Sequence, residues 1–304
     1  MEIENCSRPL MISVETINRC NSECFFCPVK VQKRDIGSMS HNLFSKICNE
    51  YFDMGGGYLS LTPAIGEFFL DKFWRNRLNI LKEYQNINAT ITTNAHTISF
   101  LSRMDILNIS DSFDKIGISL YGLDEEEHKH ITNKNFFHQA ILGVKKLLDF
   151  YPHEKIEIGF RLIKPASKEE LRLWILEKFN YNINFHENHF YNNWNYLDIE
   201  SKYHIKIHTK ASLCGLPLIS FRIYNDGKIS FCPCAYTYNS PSFLLGNLNN
   251  NTLPEILKLG MRKVKNILSE KKFEDCKNCS IRIEVDEICK NEELRKYPPY
   301  YFGA

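Results

Sequence analysis

Cys20-Asn21-Ser22-Glu23-Cys24-Phe25-Phe26-Cys27 places three thiols within eight residues, spaced C-x3-C-x2-C. Thiolates select soft metal centres: iron–sulfur clusters, zinc or Cu(I). An ordinary [4Fe–4S] cluster takes four cysteines. Here there are three, and neither a fourth Cys nor a His follows closely. One metal corner is then left for water or substrate, and chemistry happens at an open corner. A zinc knot completed by a distant ligand is the competing reading, although small zinc sites usually use C-x2-4-C pairs and not triplets.

The loop follows Met11-Ile12-Ser13-Val14-Glu15-Thr16-Ile17, whose alternation predicts a strand that delivers the cysteines at its C-terminal end. Parallel α/β folds place their sites at such ends. Downstream, the periodicity predicts helices near 40–54, 72–84, 98–107, 137–150 and 167–179. It predicts strands near 58–62, 88–93, 115–120, 155–163 and 182–187. Asp124-Glu125-Glu126-Glu127 reads as a solvated helix start, because acids favour helix N-termini. Six strands alternating with helices argue for a parallel sheet with right-handed crossovers. Periodicity alone leaves open whether that sheet is doubly wound or curled into a barrel.

The composition excludes several classes. A chain of 304 residues suits about two domains. Its 43% apolar content is ordinary for a globular protein. A formal charge of +2 gives no basic footprint for nucleic acid or anionic lipid. No run reaches the roughly 18 apolar residues of a membrane helix, and no basic flank with an apolar core marks a signal peptide. With eleven cysteines and no visible secretion signal, metal ligation in a reducing cytoplasm is expected over disulfides. Cys6 and Cys48 read as small hydrophobes, Cys48 on the apolar face of its helix.

The last third differs in character and holds six of the eleven cysteines. After Cys214 a hairpin is expected over 218–224 and 228–231, turned by Asn225-Asp226-Gly227, since Asp-Gly is a strong hairpin signal. Cys232-Pro233-Cys234 follows the hairpin. Cys276-Lys277-Asn278-Cys279 and Cys289 close the set, and four thiolates here suit either an iron–sulfur cluster or zinc.

The Cys20–Cys27 loop resembles the signature of the radical S-adenosylmethionine (SAM) superfamily, in which three cysteines hold a [4Fe–4S] cluster and SAM chelates the fourth iron. Phe26 fits the aromatic residue that usually precedes the last cysteine. Gly66-Glu67 resembles the family's Gly-Gly-Glu element, with Ile65 in place of the first glycine. Helix capping is the plain alternative for Glu67. Thr93-Asn94 is similar to the family's Thr-Asn element. The resemblance implies that Ser119 contacts the SAM ribose and that Arg161, on the fifth strand, holds the SAM carboxylate; an ordinary ion-paired arginine is the alternative. Cys214-x12-Gly227-x4-Cys232 with Cys276-x2-Cys279 resembles the SPASM/twitch auxiliary-cluster domain. A full SPASM run reads C-x2-C-x5-C-x3-C, and its third cysteine is Val285 here, as in the shorter twitch form. The resemblance implies that Cys214, Cys232, Cys276 and Cys279 hold one auxiliary [4Fe–4S] cluster, with Cys234 or Cys289 as possible replacements.

The expected architecture is therefore α/β: a partial (β/α)6 barrel over 1–205 and a small cysteine-rich α+β auxiliary-cluster domain over 206–304. The resemblance implies cleavage of SAM to a 5′-deoxyadenosyl radical that abstracts hydrogen from a substrate C–H. The dry barrel top protects that radical. Oxidation of a small polar alcohol such as a sugar or cyclitol is expected, with Glu187 as candidate base. His186, Asn192 and Trp194 would contact the substrate, and the spacing of His186 and His189 also admits a metal. The alternatives are a maturase or epimerase acting on a ribosomal peptide or an aminoglycoside-type sugar. Cys234 or Cys289 would then be the hydrogen donor. A flavodoxin or ferredoxin is the expected electron donor. A non-enzymatic iron–sulfur or zinc protein is the reading from another class.

Overall fold

The computed structural model describes residues 9–30, 32–187, 214–233 and 235–270. Within them run β1 (Met11–Val14), α1 (His41–Asp53), β2 (Gly57–Ser60), α2 (Trp74–Leu81), β3 (Ile87–Thr93) and α3 (Arg103–Ser110). Then come β4 (Lys115–Tyr121), α4 (Glu125–Thr132), α5 (Phe137–Leu148), β5 (Ile156–Arg161), α6 (Lys168–Phe179) and β6 (Asn184–Glu187). The chain continues with α7 (Leu216–Ile219), β7 (Ser220–Ile223), β8 (Lys228–Ser230), β9 (Leu244–Asn247) and α8 (Leu253–Glu270). Among the described residues no helix is long and apolar enough to cross a membrane.

Local chemistry sets the helix starts. Ser40 caps α1, its hydroxyl accepting from the Leu43 N–H, which satisfies one of the first turn's orphan donors. Ser167 with Glu170 makes a full capping box at α6. The helix expected over 98–107 is two pieces. A 3-10 turn, Thr97–Phe100, ends before Ser102, and Ser102 with Asp105 starts α3 by its own capping box. Apolar residues from both pieces feed one core, so their spacing reads as a single helix. The acidic run does open a helix: Asp124 caps α4, which stops at Asn133 in the left-handed conformation.

The strand order is β6-β5-β4-β3-β2-β1-β7-β8-β9, and β1 to β6 are all parallel. Each crossover therefore steps to the adjacent strand in the same direction. Right-handed crossovers taken in one direction put every helix on one face, which rejects the doubly wound sheet and gives the partial barrel. The register shows the two faces. Ile12, Leu59, Ala89 and Phe221 align on the helix side, as do Ile118 and Ile158, and all six are buried in the main core. The inner face carries Arg222, Ser13, Ser60, Thr90 and Lys115 along one row. Ser119, Gly159 and His186 form another row.

The C-terminal hairpin is not a separate sheet. β7 runs parallel to β1, and β8 and β9 follow it antiparallel. The expected boundary at 205/206 lies outside the described residues. Gly227, at φ +87°, makes the hairpin turn, where a Cβ would stand 2.7 Å from Asn247 Oδ1. Two buried arginines tie the hairpin to the strand ends. Arg222 donates from Nε to the Pro233 carbonyl at 2.9 Å and from Nη1 to the Thr62 carbonyl at 3.0 Å. Arg34 forks onto Glu15, one bond at 2.8 Å, and stacks over the rings of Tyr224 and Tyr238. Both charges of the Arg34–Glu15 pair are almost fully out of solvent. Arg34→Met should therefore lower unfolding free energy by about 3–5 kcal/mol, because it strands a buried carboxylate. Urea denaturation would measure it, and a loss below about 1 kcal/mol would show that the pair does not clamp the fold.

Candidate active site

Nine of the candidate site residues named from the sequence, Cys20, Cys24, Phe26, Cys27, Gly66, Glu67, Thr93, Asn94 and Ser119, line one cavity at the C-terminal ends of β1 to β4. Tyr121, which sequence reasoning did not single out, also lines it. The cysteine loop is pinned from outside. Asn94 donates from Nδ2 to Asn21 Oδ1 at 2.7 Å and to Ser22 Oγ at 3.4 Å. The Glu23 and Phe25 amides bond the Thr132 and Ile131 carbonyls at the end of α4.

Gly66-Glu67 docks directly on the stem of that loop. The Glu67 amide donates to the Arg19 carbonyl at 2.8 Å. At Gly66, φ +152°, a Cβ would sit 2.6 Å from the Ile17 carbonyl, so only glycine permits this approach. Ile65 replaces the family's first glycine without disturbing it. Ile65 is buried with Ala64 and Tyr224, and its amide reaches Glu15 Oε2 at 3.3 Å. Glu67 accepts from Thr93 Oγ1 at 2.8 Å, from the Asn94 amide at 3.0 Å and from the Phe69 amide at 3.4 Å. The last contact is the helix cap considered from sequence, so Glu67 both caps and faces the cavity. Burial pushes its carboxyl up to about 6, and those three hydrogen bonds pull the other way.

Two of the three thiols, Cys20 and Cys24, are held protonated. Burial, then the Glu67 charge, pushes Cys20 up to about 12. Burial and the neighbouring Cys27 and Cys20 push Cys24 well above the ordinary thiol range, while Arg161 draws it down. Metal loading must displace these protons. Among the described residues no three Cys, His, Asp or Glu side chains converge closely enough for a single metal ion. A tetrahedral zinc with Zn–S of about 2.3 Å needs sulfurs under roughly 4 Å apart. Three thiols spread round one cavity suit the separate corners of a multi-iron cube instead.

Arg161 ends β5 on the inner face with 1% of its surface exposed. Its guanidinium lies 5.0 Å over the Phe26 ring, and none of its nitrogens finds a hydrogen-bond partner among the described residues. Phe26 packs on its other flank against Tyr121, ring centroids 5.9 Å apart. Behind this wall His96 and His128 meet edge to face, ring centroids 5.2 Å apart, held neutral by burial, His96 at about 3 and His128 at about 4.

Glu187 needs a correction. It pairs in register with Phe160, a helix-side residue, so it leaves the sheet on the outer face and is exposed. Its neighbour His186 pairs with Gly159 and faces inward, Nδ1 3.0 Å from Glu157 Oε1. Period-two alternation makes a one-residue error in a candidate base an error of face. Among the auxiliary ligands Cys214 is half-buried and Cys232 buried, with the Cys232 amide on Ser230 Oγ at 3.2 Å. Cys234, Cys276, Cys279 and Cys289 lie outside the described residues, as do His189, Asn192 and Trp194.

Comparison with known proteins adds three findings. Residues 14–164 match the family model of the radical SAM superfamily, and residues 214–280 match that of SPASM, an iron–sulfur cluster-binding domain. A relative from Pyrococcus horikoshii named "Probable GTP 3',8-cyclase" is 26% identical over 190 residues, 60% of this chain and 56% of that protein. The chain thus spans about half the length of the curated relatives it matches. Among solved structures, BtrN in complex with AdoMet and 2-DOIA superposes with a TM-score of 0.59 at 18% identity, covering 91% of this chain and 95% of BtrN. Streptococcus suis SuiB bound to precursor peptide SuiA gives 0.67 at 17%, covering 94% and 74%. At such identities the two structures speak for the fold alone.

Proposed function

Because this chain belongs to the radical SAM superfamily and carries a SPASM-type iron–sulfur domain, we propose that it oxidises a small polar alcohol of the sugar or cyclitol class. The observation that carries this reading is the polar side of the cavity, where Thr62, Thr92, Asn94 and Ser119 line it on the face opposite the apolar core. A polar ligand meets hydrogen-bonding groups there that an apolar one could not use.

Cys20, Cys24 and Cys27 would hold the cluster that with SAM would supply hydrogen-atom abstraction, and Cys214 and Cys232 would be among the ligands of an auxiliary cluster that would supply an acceptor for the second electron. The chain's own residues do the rest. Glu67 takes the methionyl ammonium, and Arg161 takes the carboxylate by a fork. Thr93 and Asn94 hold Glu67 and the cysteine loop in place, and Ser119 meets the ribose. Phe26 and Tyr121 keep water from the reacting centre. His186, oriented by Glu157, accepts the hydroxyl proton in place of Glu187. A low-potential flavodoxin or ferredoxin is the electron source.

The test incubates reduced, reconstituted protein with SAM and a panel of cyclitols and amino sugars in deuterated water. One of them should stimulate 5′-deoxyadenosine release and yield a product two mass units lighter. A product of unchanged formula that gains one deuterium would mean epimerisation, with Cys234 or Cys289 as the donor. Stimulation only by a short peptide would favour the second reading, peptide maturation.

A further inference from the structure

We propose that Arg161 is a positioning residue that sets the reduction potential of the N-terminal iron–sulfur cluster, its fixed positive charge favouring the reduced state. The inference rests on the reading that Cys20, Cys24 and Cys27 hold that cluster.

A buried guanidinium without a counter-charge is costly. Arg161 is 1% exposed, and its Nε and both Nη atoms lack hydrogen-bond partners among the described residues. Two carboxylates lie near β5 and both are committed elsewhere: Glu157, on the same face of the strand, meets His186 Nδ1 at 3.0 Å, and Glu127 serves backbone amides just past the strand's end. Its Oε1 takes the Ile163 and Lys164 amides and its Oε2 the Leu123 amide. What Arg161 does meet is the cysteine loop. It lies over Phe26, the residue before Cys27, and Cys24 packs in the same small cluster as that ring. Phe26 and Tyr121 wall this region from water. In the SAM-free protein the counter-charge is then that of the thiolate-ligated cluster, and the SAM carboxylate adds to it when SAM binds. Reduction by one electron makes the cluster more negative while breaking no bond, and a nearby cation in a medium of low dielectric favours that step.

The experiment is a redox titration of reconstituted full-length protein without SAM, with dithionite as the one-electron reductant and the reduced cluster read by electron paramagnetic resonance. A Cys24→Ala control identifies the N-terminal signal. In Arg161→Gln and Arg161→Met the midpoint should move negative, so that at a fixed solution potential the reduced-to-oxidised ratio falls at least about tenfold, or about 59 mV. Arg161→Lys, which keeps the charge, should stay within about threefold of the parent protein. If both neutral variants fail to retain the cluster while Arg161→Lys retains it, the need for positive charge is confirmed by iron content. An unchanged midpoint in a cluster-bearing neutral variant overturns the inference, as does loss of the cluster in all three variants. If the parent protein itself shows no signal that Cys24→Ala removes, the reading of the cluster site fails instead.

Discussion

Cys24→Ala protein, reconstituted anaerobically, is expected to release no 5′-deoxyadenosine from SAM above background. It should also lose about four of roughly eight irons per chain. Cys24 is the most deeply buried of the three thiols, 6% exposed, in the small cluster with Phe26, Tyr121 and Ile131. No described Cys or His beside it can take its place, since Cys48 packs in the α1 core and Cys214 and Cys232 belong to the hairpin side. An incomplete triplet leaves a second corner open, and a cluster held by two thiolates is lost. The auxiliary irons should remain, because their candidate ligands sit on other elements. Iron and sulfide analysis with Mössbauer spectroscopy separates the two sites. Undiminished SAM cleavage in Cys24→Ala would sink the assignment of the loop, and stoichiometric zinc at the C-terminal site would reject the auxiliary cluster.

Removing the carboxylate at Glu67 should weaken SAM binding about 10- to 100-fold, the usual range for a hydrogen bond to a charged group. The contact is expected to be specific for the ammonium, and Arg161 specific for the carboxylate, so the two variants should respond in opposite ways to truncated ligands. Glu67→Ala should lose little further affinity for deaminated SAM, and Arg161→Gln little further for decarboxylated SAM. Equilibrium dialysis would measure all four combinations, and equal losses for both analogues in both variants would dismiss the two roles. The pH dependence has a definite sign. Only the ionised carboxyl attracts an ammonium, and burial raises the Glu67 carboxyl to about 6 in the free protein. Affinity should therefore hold from pH 8 to about 6.5 and fall as pH drops through 6. Glu67→Ala should remove that fall.

The hairpin turn at Asn225-Asp226-Gly227, the acidic helix start at Asp124 and the cysteine spacing were legible because each is local. Cap, turn and ligand spacing act over three to eight residues, within reach of a reading along the chain. Strand-by-helix alternation showed a parallel sheet for the same reason. Its winding was not legible, because periodicity records which way a residue faces and not which strand lies beside it. The order β6 to β1, and the placing of β7 against β1 some two hundred residues away, depend on long-range pairing that no window contains.

The same division runs through the site. The sequence by itself determined the donor set: three closely spaced thiols, a glycine–glutamate pair, a Thr-Asn pair and an arginine on the fifth strand. The tertiary structure decided what each is near. It put Gly66 against the Ile17 carbonyl, where no side chain fits. It turned Glu187 outward and His186 inward, a choice set by the register of β6 on β5. It left Arg161 buried over Phe26 with no hydrogen-bond partner among the described residues. Charge type is written in the residue, but desolvation and counter-charge depend on what the rest of the fold brings to within a few ångströms, so only the folded chain determines them.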